Sequence, residues 1–179
     1  MFGNTPSRNM VSDATGVPDS WDPKTGVNIL WTQPVGSQAY RGPTVGNGKV
    51  YVGTNNEGVR NPAYDGDKGV LMAFDATTGE FVWQMVHDKL SAGRVNDWPL
   101  QGVCSTAFVD GDRVWYVSNQ AHVICLDANG LANGNDGTDN LMCVAEVYLD
   151  PNHDVARMQS LFRDTIYACP LTKTHQPVV

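Results

Sequence analysis

The chain has 179 residues, 41% apolar and 17% charged, a balance too apolar for intrinsic disorder. Twelve Lys and Arg against 19 Asp and Glu leave a net charge of −7, which argues against nucleic acid and anionic membrane surfaces as partners. No apolar run approaches the ~18–20 residues of a transmembrane segment.

Residues Met1-Phe-Gly-Asn-Thr-Pro-Ser-Arg8 lack a basic-then-apolar leader pattern, which leaves the compartment open. Gly 18 and Pro 10 punctuate short β-branched and aromatic runs, and that pattern predicts an all-β chain with tight turns.

In chain order, the first landmark is Asp22-Pro-Lys-Thr25-Gly26-Val-Asn-Ile-Leu-Trp31, turn chemistry followed by an apolar run that ends in Trp. Strands are expected at about 43–46 and 49–54, the second within Gly48-Lys-Val50-Tyr-Val-Gly-Thr-Asn55. Glu57 to Gly69 has the composition of a loop. Strands follow at about 70–75 and 80–84, joined by Asp75-Ala-Thr-Thr78-Gly79 and closing on Trp83. Asp22 to Asp75 and Gly26 to Gly79 are each 53 residues apart, and Trp31 to Trp83 is 52.

A second set of strands is expected at about 105–109, 113–118, 122–127 and 142–148. Val50 to Val114 and Asn55 to Asn119 are both 64, whereas Asp75 to Asp127 is 52, so about 12 extra residues lie between Asn55 and Asp75, in the 57–69 loop. Four antiparallel strands recurring as a unit predict propeller blades, each of which must stack on a neighbour to bury its faces.

Ala73-x-Asp75-x-x-Thr78-Gly79-x-x-x-Trp83 resembles the tryptophan-docking motif of quinoprotein-type propellers. The chain is thereby similar to the pyrroloquinoline-quinone (PQQ)-like repeat proteins, which include quinoprotein alcohol dehydrogenases and the propeller lipoprotein of the outer-membrane β-barrel assembly machinery. Phrases such as Val52-Gly-Thr-Asn-Asn-Glu57 and Gly93-Arg-Val-Asn-Asp-Trp-Pro99 resemble a subgroup frequent in planctomycete-type bacteria.

The resemblance implies a partial β-propeller over 1–154, with a partial blade at 1–35 and blades at about 36–84 and 101–149. Since propellers close with ~4–8 blades, the chain is expected to be part of a longer ring or an open wedge. Two departures stand out. The third turn, Asp127-Ala-Asn129-Gly130, lacks Thr-Gly and its Trp. Residues 155–179 form an atypical tail in which the apolar spacing of Val155 to Tyr167 suits a short helix. A helical tail and an interrupted repeat both fit.

In such a blade the short turns, 46–48, 75–79 and 110–112, share one rim, and the long connections, 36–42, 57–69, 87–102 and 119–122, share the other. Candidate binding residues on the long-loop rim are Gln38, Tyr40, Arg41, Asn55, Asn56, Glu57, Arg94, Asn96, Asp97, Trp98 and Asn119. Six of them have a plainer reading: Asn55, Asn56 and Asn119 as satisfiers of loop backbone groups, Arg94 with Asp97 as an ion pair, and Trp98-Pro99 as loop packing. Trp31, Trp83 and Trp115 read as packing residues.

No Cys-Cys pair, calcium-loop spacing, nucleophile elbow or phosphate loop occurs. Cys104, Cys125, Cys143 and Cys169 have no metal spacing. Cys125 reads as a small buried hydrophobe, and no disulfide can be assigned among the four. His87, His122, His153 and His175 have no metal spacing either and read as ordinary surface or loop residues.

No cofactor is expected in this chain; PQQ and calcium, which the resemblance implies, would belong to a longer parent. The expected role is a non-catalytic binding or scaffolding module of the periplasm or cell envelope. Its partners would be a protein or small molecule on the long-loop rim and the remaining blades. The alternatives are part of a PQQ-dependent oxidoreductase with its catalytic residues elsewhere, and a sensor domain.

Overall fold

The computed structural model describes residues 11–58, 60–91, 93–95, 97–130 and 143–145. Two four-stranded antiparallel sheets account for all its strands. The first contains β1 (Thr44–Gly46), β2 (Lys49–Asn55), β3 (Lys68–Asp75) and β4 (Phe81–Asp88) in sequential order. The second contains β5 (Phe108–Asp110), β6 (Arg113–Val117), β7 (Val123–Asp127) and β8 (Cys143–Ala145), again in order. Among the described residues the one helical element is a 3-10 turn at Gly93–Val95. The rest of the strand expected at 142–148 and the tail at 155–179 lie outside the described residues.

Two boundaries depart from expectation. Strand β4 continues past residue 84 to Asp88 because its pairing with β3 runs on to Lys68 opposite Asp88. Strand β5 begins at Phe108, later than expected. Ahead of it, the Ser105 hydroxyl donates to Val117 O at 2.8 Å and accepts from Val117 N at 2.9 Å, so a side chain takes the place of a ladder rung. Register places Cys143 opposite Cys125, a residue buried as expected.

Strand β3 is buried on both faces from Val70 to Phe74, and its alternation divides two cores. Leu71 and Ala73 pack with Tyr51 against Val114, Tyr116 and Ile124 of the second sheet, so the two blades stack face to face. Val70, Met72 and Phe74 form the other core, with Trp31, Val35, Val52 and Val86 packed on it.

The tryptophans join one repeat to the next. Asp75 Oδ1 accepts from the amides of Thr77 and Thr78, both at 2.8 Å, and Gly79 N donates to Asp75 O at 2.9 Å. The turn this builds gives Gly79 a φ of +76°, a region glycine enters without strain. A Cβ on Gly79 would lie 2.6 Å from the Trp31 ring, so the indole packs directly on the turn backbone, and its Nε1–H donates to Ala76 O at 3.0 Å.

Trp83 repeats this on the next blade. Its Nε1–H donates to Ala128 O at 3.0 Å, and its ring lies 2.6 Å from where a Gly130 Cβ would stand. The third turn therefore performs the same function without Thr-Gly: one residue shorter, it still brings a positive-φ glycine under the ring.

Because Trp83 is partly buried and hydrogen-bonded at this contact, Trp83→Ala should lower unfolding free energy by about 3 kcal/mol. Chemical denaturation checks this, and a change within about 0.5 kcal/mol of zero, the usual range for a surface substitution, would be inconsistent with the docking.

Candidate functional site: the long-loop rim

Strands β2 and β4 both end on one rim, and the loops that leave them are anchored by buried polar side chains. Asn55, the last residue of β2, is fully buried. Its Oδ1 accepts from Ser37 N and Glu57 N, both at 3.0 Å, and its Nδ2 donates to Ser37 Oγ at 2.9 Å and Leu100 O at 2.5 Å. One amide thus ties loop 36–42, the start of the insertion and the 89–107 connection to a single strand end. A Cβ at Gly36 would lie 2.2 Å from Asn55 O, a contact that only glycine permits.

Asn119 occupies the corresponding place on the second blade. Its Nδ2 donates to Asp88 O at 2.8 Å and to Asp97 Oδ2 at 2.9 Å. Asp97, buried to 4% exposure, also accepts from Leu90 N at 2.8 Å and is ion-paired with Lys89. Lys89 Nζ donates further to Trp98 O at 2.7 Å. The expected Arg94–Asp97 pair is therefore not formed. Asp97 turns inward to Lys89, and Arg94 is exposed, with its guanidinium 5.9 Å from the Trp98 ring centroid. Asn56 is buried within the insertion, its Nδ2 donating to Tyr64 O at 2.7 Å.

The candidates thus fall into two groups. Asn55, Asn56, Asp97 and Asn119 spend their hydrogen bonds holding loops together. Tyr40, Arg41, Glu57, Arg94 and Trp98 are exposed on the same rim, with Tyr40 at 55% and Trp98 at 54%. Gln38 is half-buried, and its Oε1 accepts from the Tyr40 hydroxyl at 2.8 Å. Asn96 lies outside the described residues.

Sequence reasoning missed Lys89, whose partner lies across a loop. It also missed Arg60, which crosses from the insertion to stand 4.6 Å over the Phe81 ring and donates to Pro34 O at 2.7 Å. No local pattern marks either residue.

His87 corrects another expectation. It is neither a surface nor a loop residue: it lies in β4 at 7% exposure, and its Nε2 shares a 2.6 Å hydrogen bond with the Tyr116 hydroxyl across the blade interface. Burial, with a smaller repulsion from His122 and an opposing pull from Asp88, lowers its pKa to about 4. Burial likewise raises the Tyr116 hydroxyl above its ordinary value. The pair is therefore neutral at physiological pH.

Among the described residues no three His, Cys, Asp or Glu side chains converge to hold a metal ion. A cleft of 570 Å³ lies between the inner strands, lined by Pro43, Thr44, Val45, Asn47, Phe108 and Val109, and shares none of the long-loop candidates.

Two stacked four-stranded antiparallel sheets, joined by tryptophan docking and carrying long loops on one rim, define a partial propeller of the quinoprotein type. The chain belongs to the PQQ-like repeat family described as outer membrane protein assembly factor BamB, matched over residues 8–97 and 67–131. No curated protein sequence matches it. Among solved structures, a europium-containing methanol dehydrogenase is similar at 21% identity and a TM-score of 0.37, covering 56% of this chain and 17% of that one. The chain thus spans under a fifth of that relative's length.

Asp97→Ala leaves the Lys89 ammonium, 15% exposed, without its partner, and should cost about 3 kcal/mol of stability while speeding exchange of the Leu90 amide. Amide exchange measured beside denaturation checks this; a protected Leu90 amide would contradict it.

For His87 the pKa lies below the ~6.5 of an unfolded chain, so the unfolded state binds more protons. Stability should then fall as pH drops from about 6.5 to about 4, and His87→Gln should flatten that segment in urea titrations. An unchanged slope in the variant would count against the buried neutral pair.

Proposed function

We propose that this PQQ-like repeat segment is a non-catalytic binding and scaffolding module of the cell envelope that grips a protein partner through its long-loop rim. The observation that carries this reading is the Arg94–Trp98 stack. It is exposed on a loop anchored by Asp97, Lys89 and Asn119, and Tyr40 and Arg41 are exposed on the neighbouring loop. Arg, Trp and Tyr are the types that dominate interface energetics, and a pre-ordered loop lowers the entropy lost on association. The family's description as an outer-membrane assembly factor supports the envelope. The buried polar candidates serve as positioning residues rather than ligands.

Photo-crosslinking tests the rim. A photoreactive residue at Trp98 should yield a discrete adduct with one envelope protein, and Arg94→Ala should diminish it several-fold. The same residue at Asn47, on the opposite rim, should give none. Equal adducts from both rims would contradict the proposal. So would saturable PQQ binding with alcohol-dependent dye reduction when the longest natural form of the protein is titrated with PQQ and calcium, an outcome that would place the chain in an oxidoreductase.

A further inference from the structure

The two sheets differ at one cross-strand row. In the first, Tyr51 stands opposite Ala73 and Ala73 opposite Trp83. In the second, the same row reads Trp115, Cys125 and Cys143. Cys125 lies two residues before the turn aspartate Asp127, as Ala73 lies two before Asp75. Cys143 therefore takes the register place of Trp83, and the two directly opposed positions both carry cysteine.

Opposed residues of antiparallel strands have Cα atoms about 4.5 or 5.5 Å apart, according to their place in the ladder. Both values fall within the ~4.4–6.8 Å that a disulfide spans. Opposed positions also share a sheet face. Here it is the face turned away from the first blade, because Tyr116 and Ile124, one residue off in register, pack with Leu71 and Tyr51.

The other described cysteine lies too far away. Cys104 precedes Ser105, whose hydroxyl takes the place of a rung on the β5 side of β6. Strand β6 separates that side from β7, and two strand spacings make about 9.5 Å, beyond the reach of a disulfide.

We propose that Cys125 and Cys143 are joined by a cross-strand disulfide that fastens β8 to β7, a covalent tie at the register place where the first blade has Ala73 and Trp83. Each thiol gives up its proton, and the pair gives up two electrons to a disulfide oxidant, which leaves as two thiols. Cys125 stands as a thiol in the structure, 5% exposed, and burial raises its pKa to about 11. Exchange needs the thiolate, so the bond forms before β8 joins the sheet. The proposal is independent of the role assigned to the long-loop rim.

The test is a disulfide map of the full chain, refolded from the reduced, unfolded state with oxidised glutathione and then alkylated. Cleavage before aspartates should release residues 112–126 joined to 139–149, a pair that separates on reduction, with Cys104 alkylated. A chain folded in reductant first and then given the same oxidant should form the link at least about tenfold more slowly. Amides of β7 should exchange about tenfold more slowly in the oxidised chain than in the reduced one. Cys143→Ser should abolish the link and this difference, and Cys104→Ser should keep both. The wild-type map and Cys104→Ser decide the matter even where Cys143→Ser fails to fold.

Alkylation of both Cys125 and Cys143 after oxidative refolding would overturn the proposal, as would a link from either of them to Cys104 or Cys169. A Cys125–Cys143 link that leaves β7 exchange unchanged would overturn it as well, since the bond would then fasten nothing.

Discussion

The structure depends on one contact: an indole from one repeat laid against the turn backbone of the next. A four-stranded sheet with apolar side chains on both faces cannot be stable alone, since each face left in water forfeits its hydrophobic contribution. Trp31 and Trp83 supply that closure twice, with large apolar area and one directed hydrogen bond each. The bond fixes the sheets in rotation as well as in separation, because its acceptor, Ala76 or Ala128, sits at a set place in the turn. Glycine is required beneath each ring for positive φ and for the absence of a Cβ.

With the sheets fixed, the rim opposite the short turns can carry long loops without losing order. Asn55 and Asn119, equivalent by repeat, each bind the connection that leads into their own sheet. The Asn55 amide donates and accepts at once, whereas Asn119 anchors its loop through its donor alone, and an unmatched loop carbonyl or amide is costly away from water. The proposed function rests on this division: the polar residues in the rim's interior fix its shape, and Arg and aromatic side chains stand exposed outside them.

The fold was legible in the sequence because its determinants are local. Strand alternation and Asp–Thr–Gly turn chemistry act over a few residues, and the 53-residue recurrence of Asp22 at Asp75 doubled the signal. Expectation stopped where pairing is made across space. Arg94 lies closer to Asp97 in sequence than Lys89 does, yet Asp97 faces inward and the lysine reaches it. His87 looked like a loop residue because β4 was expected to end at 84, and only the register with β3 shows it inside the blade interface. The Asp127–Gly130 turn reads as a departure in sequence because it is one residue shorter, so the motif is broken in letters while the geometry holds. The asparagines were visible as candidates, but sequence does not say whether an amide at a strand end faces solvent or its own loops.

The most direct measurement is hydrogen exchange at the indole N–H groups of the intact chain, read by NMR. If docking joins the sheets, the indoles of Trp31 and Trp83 exchange orders of magnitude more slowly than those of Trp21 and Trp98, which stand exposed at 71% and 54%. Equal exchange at all four would show that no indole is held against a neighbouring turn, and the stacked-blade account would fail.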